Sequence, residues 1–163
     1  MDQALELLSF RARSESELED RLRRAGHSPA AATSALERCR ELGYVDDHAF
    51  ALAHVRDRLR LRPKGRRALR SELYRKGVDR DLAEAAIEEA FEESKLDETD
   101  LARRLAARRA RKPGGVEPAA ARRRLAAYLS RRGFPPLVVR DVVAEAFPSD
   151  DEAPHERPAR SAD

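Results

Sequence analysis

Leu, Ala and Val recur along this chain at intervals of three and four residues, with Arg and Glu filling the positions between them. That spacing lays a narrow apolar stripe along one side of an α-helix. No alternating run of β-branched residues occurs, so the pattern predicts helices and no sheet. One phrase, RRALRSELYRKGVD at residues 66–79, sets the theme. Leu69 and Leu73 sit one turn apart, Arg75 and Lys76 follow, and then comes Gly77. Cations beside the last carbonyls, then a residue free to turn left-handed, suit a helix C-terminus. Asp79 offers a carboxylate to cap the next helix. The phrase reads helix, sharp turn, helix.

It occurs three times. Leu18, Leu22 and Gly26 repeat the spacing, as do Leu125, Leu129 and Gly133. Ser28-Pro29, Asp79-Arg80 and Pro135-Pro136 then take the cap and first helical positions, where Ser, Asp and an N1 Pro are well placed. Ten residues past each glycine stands a branched apolar residue: Leu36, Ile87 and Val143. The glycines are 51 and 56 residues apart, too long for a tetratricopeptide repeat and suited to three helices per unit.

The chain therefore divides into a module at residues 1–43, a second at 44–93 and a third at 94–147. In the first, a helix over 2–12 is expected to turn Leu5, Leu8 and Ala12 inward, and Ser14 with Glu17 forms a capping box ahead of Leu18. In the second, Asp46-Asp47 cap a helix carrying Phe50, Ala51, Val55 and Leu59, and Pro63-Lys64-Gly65 break it. Glu92 to Asp100 is an acidic linker or a frayed helix end. The third module opens with Leu101 and Leu105, and Lys112-Pro113-Gly114-Gly115 end its first helix. Residues 148–163 are Pro-rich, charged and poor in apolar side chains, as a disordered tail would be. A module this small buries too little by itself, so its faces should continue onto its neighbours. The expected architecture is all-α: three tandem three-helix modules in an elongated, curved helical-repeat array.

Composition changes this picture little, because Ala, Leu, Arg and Glu are all strong helix formers. Charge changes it more. The formal net charge is only +3, but basic residues crowd Arg56 to Arg80, acidic ones fill the next twenty positions, and basic ones return from Arg103 to Arg132. Such alternation suits a partner of negative or mixed charge; the plain alternative is solvated helix faces. The candidate partner-binding residues are Arg66, Arg67, Arg70, Tyr74, Arg75 and Lys76 in the second module. In the third they are Arg103, Arg104, Arg108, Arg111, Arg122, Arg123, Arg131 and Arg132. Arg103, Arg104, Arg108 and Arg111 fall within an arc of roughly 140° at about 100° per residue, and Tyr74 shares a face with Arg67 and Arg70.

No catalytic constellation is evident. His48 and His54 are six residues apart, so a helix points them to different faces, and no Cys or second His stands at metal-ligand spacing. Asp46-Asp47 read better as a cap than as a metal site. Gly114-Gly115 lack the phosphate-loop pattern. Cys39 is alone, aligns with Ala90 and Ala146 of the other repeats, and reads as a small buried residue. Neither enzyme, metal nor cofactor is expected. The N-terminal MDQALELL lacks a targeting pattern and no stretch approaches a membrane span, so a cytoplasmic protein without membrane contact is expected.

Four phrases in order resemble the RecX family of regulatory proteins: ALELLSFRARSESELEDRLRRAG, LGYVDDHAFALAHV, PKGRRALRSELYRKGV and LAAYLSRRGFPPLVVRDVV. The resemblance covers about residues 4–147 and implies three tandem three-helix modules. It also implies binding to the RecA recombinase filament on DNA, in the filament's helical groove and across neighbouring subunits. Reduced ATP hydrolysis, strand exchange and repressor co-cleavage would follow, hence regulation of homologous recombination and the SOS response. DNA inside the filament is a further candidate contact, and a monomer is expected. Residues 92–100 and the tail match no family phrase, and Ala119-Ala120 stand where the second module has Lys64-Gly65. Beside this reading stands a direct nucleic-acid binder whose basic helices track phosphates, and, more weakly, a scaffold for some other partner.

Overall fold

Apolar stripes, caps and glycine turns produce nine α-helices and no strand among the described residues, 1–110 and 117–148, of the computed structural model. The helices are α1 (Asp2–Phe10), α2 (Glu15–Arg24), α3 (Pro29–Glu41), α4 (Asp47–Leu61), α5 (Arg66–Arg75), α6 (Arg80–Ser94), α7 (Glu98–Ala110), α8 (Pro118–Arg131) and α9 (Pro136–Ala146). Side chains cap most of them. Ser14 Oγ accepts the Glu17 N–H at 3.1 Å, Ser28 that of Ala31 at 3.2 Å, and Asp46 that of Ala49 at 2.9 Å. Asp79 takes the Asp81 N–H at 2.8 Å, and Glu117 those of Ala119 and Ala120 at 3.0 Å. Each such cap satisfies backbone donors that the helix itself leaves unpaired. The capping box at Ser14 is only half formed, because Glu17 pairs with Arg11 and Lys76 instead of folding back.

The second helix of each module ends in the same knot. His27 N–H donates to Leu22 O, Val78 to Leu73 O and Phe134 to Leu129 O, at 3.2, 3.1 and 3.3 Å. This long-range turn bond closes only when the intervening residue is left-handed. Gly26, Gly77 and Gly133 supply that conformation, with φ of 95°, 74° and 84°. The leucine that accepts the bond is buried in every repeat.

Two sequence expectations need correction. On α1 the inward residue is Ala4, with Leu7 and Leu8 half-buried; Leu5 is exposed, and so is Ala12. The helix stops at Phe10 and Arg11 is extended, so a stripe through Leu5, Leu8 and Ala12 lacks its last member. Residues 92–100 are mostly helical: α6 runs to Ser94, Lys95 turns left-handed at φ 49°, and α7 begins at Glu98. The acidic side chains there are the end of one helix and the start of the next. Lys112 to Gly115 and residues 149–163, including most of the expected tail, lie outside the described residues.

Buried side chains form two clusters. Ala4, Leu18, Leu22, Ala32, Leu36, Cys39 and Val45 make the smaller one within α1–α3, where burial raises the Cys39 thiol above its ordinary pKa. The larger runs without interruption from Ala51 on α4 to Val143 on α9 and includes Leu69, Leu73, Phe91, Leu101, Leu129 and Phe134. The second and third modules thus share a core, while the first keeps its own.

The modules are joined by one device used twice. Ser14, the fully buried cap of α2, donates its hydroxyl to Lys76 O at 2.5 Å. Beside it the Glu15 N–H donates to the Asp47 carboxylate at 2.8 Å. At the next junction Gly65, the cap of α5, donates its N–H to Arg132 O at 2.8 Å, and the Arg66 N–H donates to the Glu98 carboxylate at 2.8 Å. Position by position the two match. A carboxylate at the start of one module's first helix, and the carbonyl before its glycine, receive the start of the preceding module's second helix. The glycines stand so close that a Cβ would collide with the Ser16 side chain at Gly77, and with Ala68, backbone included, at Gly133. Burial pushes the Asp47 and Glu98 carboxyls upward in pKa, each opposed by the backbone N–H it accepts.

Within the second module one carboxylate is held by three donors. Glu72 on α5 is buried and accepts from His54 Nε2 at 2.9 Å, Arg58 Nε at 2.8 Å and the Lys64 ammonium. Burial opposes its charge, and the three donors together outweigh burial, holding the carboxyl at about 2. Burial also lowers the His54 pKa, against the pull of Glu72.

Three stability measurements follow. Gly26 has no neighbour within 4 Å of an added Cβ, so Gly26→Ala should lose only about 1 kcal/mol, the left-handed penalty. Gly133→Ala adds a backbone collision and should lose about 3 kcal/mol or more in urea denaturation. Glu72 has a folded pKa below its unfolded value, so its contribution is present above about pH 5 and is lost as pH falls toward 2. Glu72→Gln should therefore cost about 3 kcal/mol at pH 7, with the gap to the parent shrinking as pH drops through that window.

Candidate interaction surface

The basic and acidic runs of the sequence largely answer one another inside the fold. The acidic stretch lies on α6, which packs across α4 and α5, so its carboxylates meet their cations. Arg66 pairs with Glu88 and lies over the Phe91 ring at 4.2 Å. Arg70 makes a two-pronged pair with Glu84, which lowers the Glu84 pKa and raises that of Arg70. Arg56 does the same with Glu93. Lys76 binds Glu17 of the first module at 2.9 Å, within 5.4 Å of the Phe50 ring. In the third module Arg103 is clamped between Glu145 at 2.8 Å and Asp100 at 2.9 Å, and its pKa rises. Arg132 spends its guanidinium on Pro63 O at 2.8 Å and on the Tyr128 ring at 5.2 Å. Of the candidate residues, then, Arg66, Arg70, Lys76, Arg103 and Arg132 hold the protein's own helices together.

A second group has no carboxylate within ion-pair distance among the described residues: Arg67, Arg75, Arg104, Arg108, Arg122, Arg123 and Arg131. Arg67 reaches Ser130 O at 3.2 Å across the module junction, and Arg75 bonds Ser71 O of its own helix at 3.2 Å. Tyr74 is the large hydrophobic side chain that α5 exposes, at 78%. Arg111 lies outside the described residues. The uncompensated positive charge gathers on α7 and α8, with Arg67 beside it at the start of α5, while Arg75 stands at the other end of that helix.

Two hollows include arginines of this second group in their walls. One, of about 220 Å³, is lined by His54, Arg58, Glu72, Arg75 and Lys76. The other, of about 210 Å³, has an apolar floor of Leu59, Pro63, Leu96, Leu101 and Leu105, with Arg60, Arg104 and Arg108 at its rim. The second suits a partner that pairs negative charge with an apolar side chain, because cations at the rim of an apolar hollow reward both. Reading helix faces from sequence missed Arg60, which among the described residues pairs only with its own-helix Asp57 at 3.3 Å, and Arg109, which stacks on Tyr128 at 4.6 Å. It also missed Glu72. The available signal was a carboxylate three residues from Leu69 and next to Leu73, on the apolar stripe. Among the described residues no three His, Cys, Asp or Glu side chains gather as a metal site, and no helix is long and apolar enough to cross a membrane.

Comparison with known proteins places these modules. Family models for the first, second and third three-helix domains of RecX match residues 1–39, 46–87 and 97–143. The regulatory protein RecX of Amycolatopsis mediterranei is 36% identical over 140 residues, which is 86% of this chain and 78% of that protein. That of Mycolicibacterium smegmatis is 36% identical over 141 residues, 86% and 75% of the two chains. That of Chlorobium limicola is 30% identical over 144 residues, 88% and 87%. The crystal structure of RecX from Lactobacillus salivarius superposes with a TM-score of 0.75, covering 89% of this chain and 92% of that one at 21% identity. Three matched domains in order, and relatives alike over most of their length, place this chain in the RecX family of regulatory proteins.

Proposed function

We propose that this protein binds the RecA recombinase filament on DNA and restrains it, acting by binding in the cytoplasm, as a monomer, without catalysis or cofactor. The observation that carries the reading is the division of the arginines. Those on α5 that face α6 are already neutralised, whereas Arg104, Arg108, Arg122, Arg123 and Arg131 have no carboxylate partner among the described residues. A surface whose charge is left unanswered within the fold is suited to a negatively charged partner. Modules in series add to this, because several weak contacts tethered together reinforce one another on a repeating polymer. Bridging neighbouring subunits would oppose their sliding, and filling the groove would exclude a second DNA strand. Opposed subunit motion would lower ATP hydrolysis, and a filled groove would reduce strand exchange and repressor co-cleavage.

The same arginines suit the second reading, a protein that tracks DNA phosphates directly, and a titration separates the two. A filament modulator should bind the recombinase–DNA filament at least about tenfold more tightly than naked DNA at physiological salt. Equal affinity for both would favour the DNA binder. Reversing charge with Arg104→Glu and Arg108→Glu should weaken filament binding by about tenfold and flatten its salt dependence. Arg70→Glu should change that affinity by less than about twofold, because Glu84 already holds Arg70, while costing up to about 1 kcal/mol of stability.

A further inference from the structure

The module junction is used twice within the chain, and the first module carries its receiving half a third time, with none of the described residues covering it. In both filled junctions three features act together. They are a carboxylate at the first position of the module's first helix, the carbonyl of the residue before the glycine, and the glycine itself. Asp47, Lys76 and Gly77 are one set; Glu98, Arg132 and Gly133 are the other. The first module has Asp2 at the start of α1, then Ala25 and Gly26 at the end of α2. His27 Nε2 lies 2.5 Å from Gln3 Oε1, which sets the start of α1 beside the glycine turn. Asp2, Ala25, Gly26 and His27 are all exposed, and nothing stands within 4 Å of a Cβ added to Gly26. The equivalent Cβ at Gly77 or Gly133 would strike the helix already docked there.

We infer that Asp2 and the Ala25-Gly26 turn form a docking surface for the first turn of an α-helix supplied by a partner protein. The filled junctions say what that helix must offer. Its cap residue is small, as Ser14 and Gly65 are, and gives a hydrogen bond to the Ala25 carbonyl. Its first helical residue keeps its N–H, as Glu15 and Arg66 do, and donates it to the Asp2 carboxylate. A small residue follows at the second or third helical position, as Ser16 and Ala68 do. The electrostatics agree, since the carbonyl end of α2 would face the positive end of the incoming helix.

A second copy of this chain does not supply such a helix. The second helix left uncovered by the array is α8. Counted back from Gly133, the position matching Glu15 and Arg66 is Arg122, yet α8 begins four residues earlier at Pro118. The added turn puts the Arg122 N–H inside the helix. Pro118 has no N–H to donate, and Glu117 already caps the donors that follow. Among the described residues the giving end of the array is closed while the receiving end is open, which suits a helix supplied by another protein.

The inference does not depend on which protein supplies the helix, and its test uses neither recombinase nor DNA. The probe is a helix-stapled peptide reproducing residues 14–25, the segment that fills the Gly77 junction. It is titrated into the full ¹⁵N-labelled chain and followed by amide chemical shifts. Saturable shifts are expected at Gly26 and His27 by about 1 mM peptide, with Gly77 and Gly133 unmoved because their sites are filled. A peptide with Pro in place of its Glu15 should bind about tenfold more weakly. Gly26→Ala in the protein should weaken binding by at least about fivefold while the thermal transition stays cooperative, and Asp2→Asn should weaken it too. Absence of shifts at Gly26 and His27, or equal binding of the proline peptide, would overturn the inference. So would equal binding of a scrambled peptide of the same charge. None of these outcomes bears on filament binding, which the titration above decides separately.

Discussion

The arrangement of this molecule depends on how closely the end of one helix can approach the start of another. At Gly77 and Gly133 the turn that ends a module's second helix is seated directly on the first turn of the preceding module's second helix, with no room for a side chain between them. Helix ends are where backbone donors and acceptors are left over, so pairing an end with a start satisfies both at once. The carbonyls of Lys76 and Arg132 are met in this way, by the Ser14 hydroxyl and the Gly65 N–H, while the Asp47 and Glu98 carboxylates take the N–H groups of Glu15 and Arg66. Because both junctions use equivalent positions, the same local geometry is applied twice in succession, which makes a series of modules out of three similar bundles.

Electrostatics reinforce that framework and also define what is left for a partner. Along the chain the charges come in blocks, and in three dimensions a basic block on α4 and α5 folds against an acidic one on α6. Most such pairs are exposed and add little stability individually. Their effect is to cancel charge over the second module, so that positive potential remains over α7 and α8. The buried carboxylate of Glu72 is different in kind: it ties the second half of α4 and the connecting Lys64 to α5 through three donors.

Much of this was legible in the sequence because it is local. Leu-x-x-x-Leu spacing, a glycine four residues on and a cap two or three beyond are short-range signals, and they placed the second and third helices of every module. α1 was read less well, since Leu5, Leu8 and Ala12 satisfy a helical period that the chain abandons at Phe10. The third module's second helix, Pro118–Arg131, is a turn longer than its counterparts. The interaction surface was legible only in part. Periodicity says that Arg66 and Arg70 lie on the outside of a helix, but not that Glu88 and Glu84 wait opposite them. Which arginines stay unpaired is decided by contacts between residues far apart in the chain, and no spacing rule carries that information.

The division of the apolar core has a mechanical consequence. Helices α4–α9 share one continuous interior, whereas α1–α3 close around their own and touch the rest through Ser14, Glu15, Glu17 and their partners. Parting the N-terminal third from the remainder exposes a few polar groups to water and leaves both interiors dry. A seam of polar contacts yields more readily than one made of shared apolar core, so α1–α3 can adjust their angle to α4–α9 more easily than α4–α6 can to α7–α9.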